Sequence, residues 1–330
     1  MDIEYRVSSK IQLGFFPTPL IELKRLSKRL GGPRILMKRD DLTGLASGGN
    51  KTRKLEFLMG EAVDQGCDLV ITAGAAQSNH CRQTAAAAAC CGLPCHLVLG
   101  GQAPELLDGN LLLDDLLAAE IHWSGDFRKG ETIPELVKQL KNNGRRPYVI
   151  PYGGSNRIGA MGFVEAIPEA DQQLAAMDIQ VSHIVFASSS GGTQAGLLVG
   201  KQLSEQQFTL IGIGIDKGEA GDAPFKEHVL QLATETAEQV QLTHNFQPSD
   251  IIVRDEYLGA GYGIVGTPER EAIRITAETE GILLDPVYTG RAMAGLIDMI
   301  KQGELSSNDT VLFWHTGGLP AIFSYAEELQ

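Results

Sequence analysis

Apolar residues fall along this chain in two rhythms. From about residue 34 onward, short continuous apolar runs rich in Val, Ile and Leu alternate with longer stretches in which apolar positions recur every three or four residues. The runs at 35–37, 69–72, 96–99, 148–150, 183–186, 210–213 and 311–314 read as strands. Because they are apolar throughout and do not alternate, they are expected to be buried on both faces, as parallel strands covered by helices are. After Lys51, the residues Leu55, Leu58, Met59, Ala62 and Val63 repeat at helical spacing and mark one buried helix face. This alternation of strand and helix predicts an α/β fold. The strands and their helices exceed what one small sheet can hold. No Pro/Ser linker, internal repeat or low-complexity tract divides the chain, so two interleaved domains are expected.

Glycine sharpens the picture. The chain has 38 glycines in 330 residues, well above the roughly 7% of average proteins. They gather where a strand hands over to a helix: Gly48-Gly49, Gly74, Gly153-Gly154, Gly191-Gly192, Gly261 with Gly263, and Gly317-Gly318. Any one pair is accounted for by an ordinary turn. Several at equivalent handovers point to the crevice beyond the carboxyl ends of parallel strands, where helix N-termini offer N–H groups to an anion.

A hydrophobic share of 43% with 21% charged residues is that of a globular chain. The net charge of −13 disfavours nucleic acid and anionic membranes as partners and leaves a small molecule as the expected ligand. There is no signal-like start and no uncharged apolar stretch of membrane length, so a soluble cytoplasmic protein is expected. The five cysteines are odd in number, lie between Cys67 and Cys95, and lack a paired CxxC spacing. They read as reduced core residues, and no metal site is expected from them or from the histidine spacing.

Several segments carry possible chemistry. Ser188-Ser189-Ser190-Gly191-Gly192-Thr193 follows a strand and opens a helix, so its N–H and hydroxyl groups suit a phosphate, although a plain turn would look the same. This loop has no GxGxxG and no Walker lysine, which argues against a dinucleotide or nucleoside triphosphate there. Lys51 follows Gly48-Gly49-Asn50 at a helix start, where the helix dipole and desolvation favour the neutral amine needed for a Schiff base. The alternative is that Lys51, Arg53 and Lys54 are solvated surface charges. Ser78, Asn79 and His80 open an Ala-rich helix and suit a carboxylate or a polar ring substituent, or else serve as helix caps. Tyr262 lies between glycines, Tyr288 sits in Asp285-Pro286-Val287-Tyr288-Thr289-Gly290, and Thr316 follows the last strand. A threonine hydroxyl there can hydrogen-bond a neutral ring nitrogen.

Taken together and in order, these segments, with Pro17-Thr18-Pro19-Leu20 and Lys38-Arg39-Asp40-Asp41, resemble the family of D-cysteine desulfhydrases and 1-aminocyclopropane-1-carboxylate (ACC) deaminases. These are pyridoxal 5'-phosphate enzymes of the tryptophan synthase β-like fold, and the resemblance covers nearly the whole chain. It implies two three-layer α/β/α domains, a larger one from 1–52 plus 160–330 and a smaller one from 53–159, with cofactor and substrate in the cleft between. It makes Lys51 the Schiff-base lysine, Asn50 a cofactor neighbour and Asn79 the partner of the pyridoxal hydroxyl. Ser189, Ser190, Gly191, Gly192 and Thr193 would hold the phosphate. Ser78, Asn79, His80, Tyr262 and Tyr288 would meet a small amino-acid substrate, Ser78, Tyr262 and Tyr288 acting in catalysis beside Lys51.

Within that family, ACC deaminases carry Glu at the place of Thr289 and Leu at the place of Thr316, so this chain is similar to the desulfhydrases. A carboxylate at the ring nitrogen would keep it protonated and make the cofactor a stronger electron sink, suited to opening a cyclopropane ring. A hydroxyl supports only a weaker sink, sufficient for a good β leaving group such as a thiolate. The resemblance therefore implies α,β-elimination from D-cysteine to pyruvate, sulfide and ammonia in a homodimeric lyase. ACC deamination, another β-elimination such as loss of sulfite from cysteate, and a non-catalytic cofactor-binding protein are the alternatives.

Overall fold

The computed structural model describes residues 9–204, 206–216 and 224–330. Among the described residues, ten strands form two sheets. They are β1 (Leu20–Glu22), β2 (Arg34–Arg39), β3 (Leu69–Ala75), β4 (Cys95–Gly100), β5 (Glu120–Trp123), β6 (Pro147–Val149), β7 (His183–Ser188), β8 (Thr209–Gly214), β9 (Ile252–Arg254) and β10 (Thr310–His315). One sheet runs β1-β2-β10-β7-β8-β9 and the other β5-β4-β3-β6. Every pairing is parallel except that of β1 with β2. The α/β fold with mostly parallel sheets expected from the sequence is thus the observed one.

Burial follows the sequence pattern. In β3, β8 and β10 nearly every residue is buried, as strands covered on both faces require. Three apolar clusters result. One lies between the two sheets and joins Leu55, Leu58, Leu97, Phe163, Ile184 and Trp314. A second covers the other face of the larger sheet around Met37, Val185, Leu296 and Phe313, and a third covers the smaller sheet around Ile71, Val98 and Ile133. The helix Lys51–Asp64 runs through the shared cluster, which is why its buried set exceeds the single predicted face. Thr52, Arg53, Lys54 and Glu56 are buried as well, whereas Val63, expected inside, is nearly half exposed at 47%. No helix among the described residues is long and apolar enough to cross a membrane.

Candidate active site

A cleft of about 470 Å³ opens past the carboxyl ends of β3, β7 and β10. Its walls include Asn50, Lys51, Asn79, His80, Ser189, Ser190, Gly191, Thr193, Tyr288 and Thr316. Residues from five separate segments meet there, and among the described residues no carboxylate lines the cleft.

Lys51 begins the helix Lys51–Asp64, and its Nζ donates to the Gly153 carbonyl at 3.2 Å. Burial pushes its amine down to about 8. The turn that presents it is fixed from outside: the Asn50 N–H donates to the Thr316 carbonyl at 3.0 Å. A Cβ on Gly317 would lie 2.8 Å from the Gly49 Cα, so glycine is what lets the two loops touch. Ala46 and Ser47, just before, hold positive φ of 42° and 72°, an uncommon backbone for residues with a side chain. The buried Arg82 donates to the carbonyls of Ala46 and Gly48 at 2.8 and 3.0 Å and pins that turn.

Lys54 and Arg53 are not the solvated surface charges that the sequence also allows. Lys54 is fully buried, and its Nζ donates to the same Gly153 carbonyl at 3.1 Å and to Ser155 Oγ at 3.2 Å. Burial, reinforced by the Lys51 charge, pushes its amine well down. The sequence carried a signal for this, since positions three apart share a helix face.

The loop after β7 leads into the helix Gly192–Lys201. Gly191 takes a φ of +83°, in the left-handed region that favours glycine. Ser190 Oγ lies 2.8 Å from Ser155 Oγ, and the Gly192 N–H donates to Ser155 Oγ at 3.1 Å. Ser155, which no sequence motif singled out, therefore ties this loop to Lys54. Asn50 Nδ2 reaches Thr193 Oγ1 at 3.4 Å.

On the β3 side, Ser78 is the N-cap of the helix Asn79–Cys90, its Oγ accepting from the Cys81 N–H at 3.2 Å. Its capping role uses a lone pair, and its hydroxyl proton is turned toward the buried Cys81 thiol. Asn79 Oδ1 accepts from Asn110 Nδ2 at 3.0 Å, so its amide nitrogen is the end left to donate. Asn110 is in turn held by Gln77, whose Oε1 accepts its N–H at 2.8 Å and whose carbonyl accepts its Nδ2 at 2.9 Å. His80 Nε2 lies 2.8 Å from Thr72 Oγ1, and Nδ1 is buried without a partner. Burial, together with the Lys51 and Lys54 charges, keeps its ring neutral at ordinary pH.

Opposite, the Tyr288 and Tyr262 hydroxyls are 2.7 Å apart, their rings meeting edge to face. Burial drives both phenols well above their ordinary value. Arg128 stacks over the Tyr262 ring at 4.3 Å and bonds Tyr152 Oη at 3.1 Å and Asp216 at 2.7 Å. Tyr288 is oriented by the fully buried Asp285, which accepts the N–H groups of Val287, Tyr288 and Thr289 at 3.0, 2.9 and 2.7 Å.

The two threonines differ. Thr289 Oγ1 donates to Asp285 Oδ1 at 2.7 Å and accepts the Asp285 N–H at 2.8 Å, so its proton is committed. Thr316 Oγ1 has no hydrogen-bond partner among the described residues and lies on the cleft wall. Its position is set by the neutral His315, which bonds the Leu283 carbonyl at 3.1 Å through Nε2 and accepts the Gly317 N–H at 3.3 Å through Nδ1.

The cleft thus combines a low-pKa lysine, a serine- and glycine-rich loop at a helix start and an uncommitted hydroxyl, with no carboxylate among the described residues. That donor set fits an anionic phosphate and an aldehyde on one small ring compound. Comparison with known proteins agrees. The chain is 44% identical over 326 residues to a D-cysteine desulfhydrase of Klebsiella pneumoniae (strain 342), covering 97% of each chain. It is 45% identical over 322 residues to a D-cysteine desulfhydrase of Salmonella choleraesuis (strain SC-B67), covering 96% of each. Among solved structures it superposes on an ACC deaminase homologue with a TM-score of 0.88 at 38% identity, over 98% of this chain and 96% of that one. It shares the fold of the processed form of threonine deaminase isoform 2 from Solanum lycopersicum, with a TM-score of 0.64 at 17% identity, over 97% and 88% of the two chains. Residues 11–317, which contain every cleft residue named above, match a family as a whole, and the chain belongs to that family, the pyridoxal-phosphate dependent enzymes.

Proposed function

We propose that this protein is a carbon–sulfur lyase that converts D-cysteine and water to pyruvate, hydrogen sulfide and ammonia. The observation that carries the reading is 44–45% identity to two D-cysteine desulfhydrases along nearly the whole of each chain. The cleft chemistry supports it. Bound pyridoxal phosphate supplies an aldehyde that an amine captures and a ring that accepts the electron pair of a broken Cα–H bond.

The remaining roles belong to the chain. Lys51, with its amine near 8, is the covalent attachment point and, once freed, the base that takes the α-proton. Ser189, Ser190, Gly191, Gly192 and Thr193 hold the phosphate, with Asn50 beside them. The free amide hydrogens of Asn79 serve the pyridoxal hydroxyl. Thr316, whose hydroxyl is uncommitted, donates to a neutral ring nitrogen, while Thr289 acts through Asp285 on the position of Tyr288. Ser78, His80, Tyr262 and Tyr288 receive the amino acid, and the hydroxyl of Tyr288 or Ser78 moves a proton toward the leaving sulfur.

In this reading residues 53–159 form the smaller domain and 1–52 with 160–330 the larger. The smaller sheet, drawn wholly from residues 69–149, supports that division. A cytoplasmic location is supported by five free cysteines in the described chain. The homodimer rests on family resemblance and is tested by sedimentation.

Pyruvate or 2-oxobutanoate release from D-cysteine, L-cysteine, β-chloro-D-alanine, L-cysteate and ACC tests the activity. Preferred turnover of D-cysteine, abolished in Lys51→Ala together with the visible absorbance of bound cofactor, is the expected result. Rapid ACC turnover without D-cysteine activity would overturn it, and the solved ACC deaminase homologue makes ACC the necessary comparison.

A further inference from the structure

Away from the cleft, His96, Glu120 and His122 converge on the edge of the smaller sheet, although their spacing in sequence suggested no shared ligand. The parallel register sets Glu120 beside His96 and His122 beside Val98. Residues two apart on a strand share a face, so all three side chains project to one side. His96 Nδ1 lies 3.0 Å from His122 Nε2. The Glu120 carboxylate straddles the pair, one oxygen 3.3 Å from His122 Nε2 and the other 3.6 Å from His96 Nδ1.

We propose that His96, Glu120 and His122 form a binding site for one divalent cation of the zinc class. A tetrahedral ion holding nitrogen and oxygen at about 2.0–2.1 Å spaces its ligands about 3.3–3.4 Å apart. The 3.0 Å between the ring nitrogens, and the 3.3 and 3.6 Å at which the two carboxylate oxygens each approach one ring, lie near that edge, so small side-chain rotations admit an ion. Two imidazoles and one carboxylate select zinc over magnesium or calcium, which prefer all-oxygen shells.

The nearby cation, Arg145, acts weakly on His96 and is itself paired with Asp68 at 3.0 Å. The Glu120 side chain is 65% exposed, so the ion arrives from solvent and keeps water in its fourth position. His96 and Glu120 stand at the amino ends of β4 and β5, whereas the cleft lies past the carboxyl ends of strands. The ion therefore clamps the edge strand β5 onto β4 and takes no part in the reaction.

The test is titration of chelator-treated holoenzyme with Zn²⁺ alone, by calorimetry and by metal analysis after equilibrium dialysis. One equivalent should bind per chain. His122→Ala and Glu120→Gln should each weaken it by at least the roughly 10–100-fold that loss of an outer-shell partner costs a metal site. Cys90→Ser, which removes the exposed thiol, should leave binding unchanged, and cofactor absorbance should match the parent in all three variants. No bound equivalent at millimolar Zn²⁺ would overturn the proposal. So would binding that both His122→Ala and Glu120→Gln leave intact, or that Cys90→Ser abolishes.

Discussion

The lowered basicity of Lys51 has a direct kinetic consequence. Burial takes the amine from 10.5 to about 8, which makes it neutral above that pH and protonated below. At pH 7 about one Lys51 in ten is then neutral, against about one in 3,000 for an ordinary lysine. The difference, about 300-fold in reactive amine, corresponds to about 3 kcal/mol. It is measured by mixing apoenzyme with pyridoxal phosphate at a series of pH values and following the visible absorbance of the attached cofactor. Dividing each rate by that of a free amine corrected for its own ionisation removes the cofactor's titration. The corrected rate should rise about tenfold per unit below pH 8 and level off above it. A rate still climbing through about pH 10 would show an amine with the basicity of a solvated lysine, and the assignment of burial as the activating cause would fail.

Other perturbations follow from the same contacts. Gly153→Ala forces a side chain onto a φ of +64° and puts its Cβ 2.2 Å from Ser190 Oγ. With about 1–2 kcal/mol of backbone strain alone, the variant should release cofactor at least tenfold more readily on dialysis; parental retention would count against the loop's role. Thr316→Ala should lower kcat while leaving Tm unchanged, whereas Thr289→Ala should cost about 1–2 kcal/mol in urea unfolding because it removes bonds to a buried carboxylate; identical behaviour of the two would refute their separation. Asn110→Ala frees Asn79 Oδ1 and should weaken cofactor binding, read as a higher Kd in fluorescence titration. Burial raises Glu169, yet Arg53 and Lys38 win and hold its carboxyl at about 2. A depressed carboxylate contributes stability above its unfolded value, about 4.3, and loses it as pH falls toward 2. Up to about 3 kcal/mol should disappear over that window, and Glu169→Gln should flatten the acid limb of a urea-midpoint profile.

Much of this protein was legible in its amino-acid order, and what escaped has a pattern. Six of the seven apolar runs lie in strands whose run is buried on both faces, which writes an uninterrupted hydrophobic signal; the run at 148–150 instead joins the edge strand β6, where Val149 is 40% exposed. The three strands that no run marked, β1, β5 and β9, all stand at sheet edges, where a strand is short and one side lacks a partner. Glycines at strand–helix handovers located the cleft, since close approach of backbone to ligand is a local requirement that only glycine meets. Lys51 and Thr316 were marked by the same local grammar.

Tertiary structure decided the rest, including whether the helical spacing of Lys54 from Lys51 would count. Lys54 turned inward because the helix Lys51–Asp64 runs through the core between the sheets and not along a surface. Asn110 reaches the site from the start of the helix Gly109–Leu116, Arg128 and Ser155 from loops, none with a motif of its own, and Thr289 commits its hydroxyl hydrogen bond to Asp285. His96 and His122, 26 positions apart, became neighbours through strand register. Sequence determines which segments are buried and where the backbone must turn, because those demands are met within a few residues. Which side chain keeps a free proton, and which charge loses its water, depends on partners that folding brings from elsewhere in the chain.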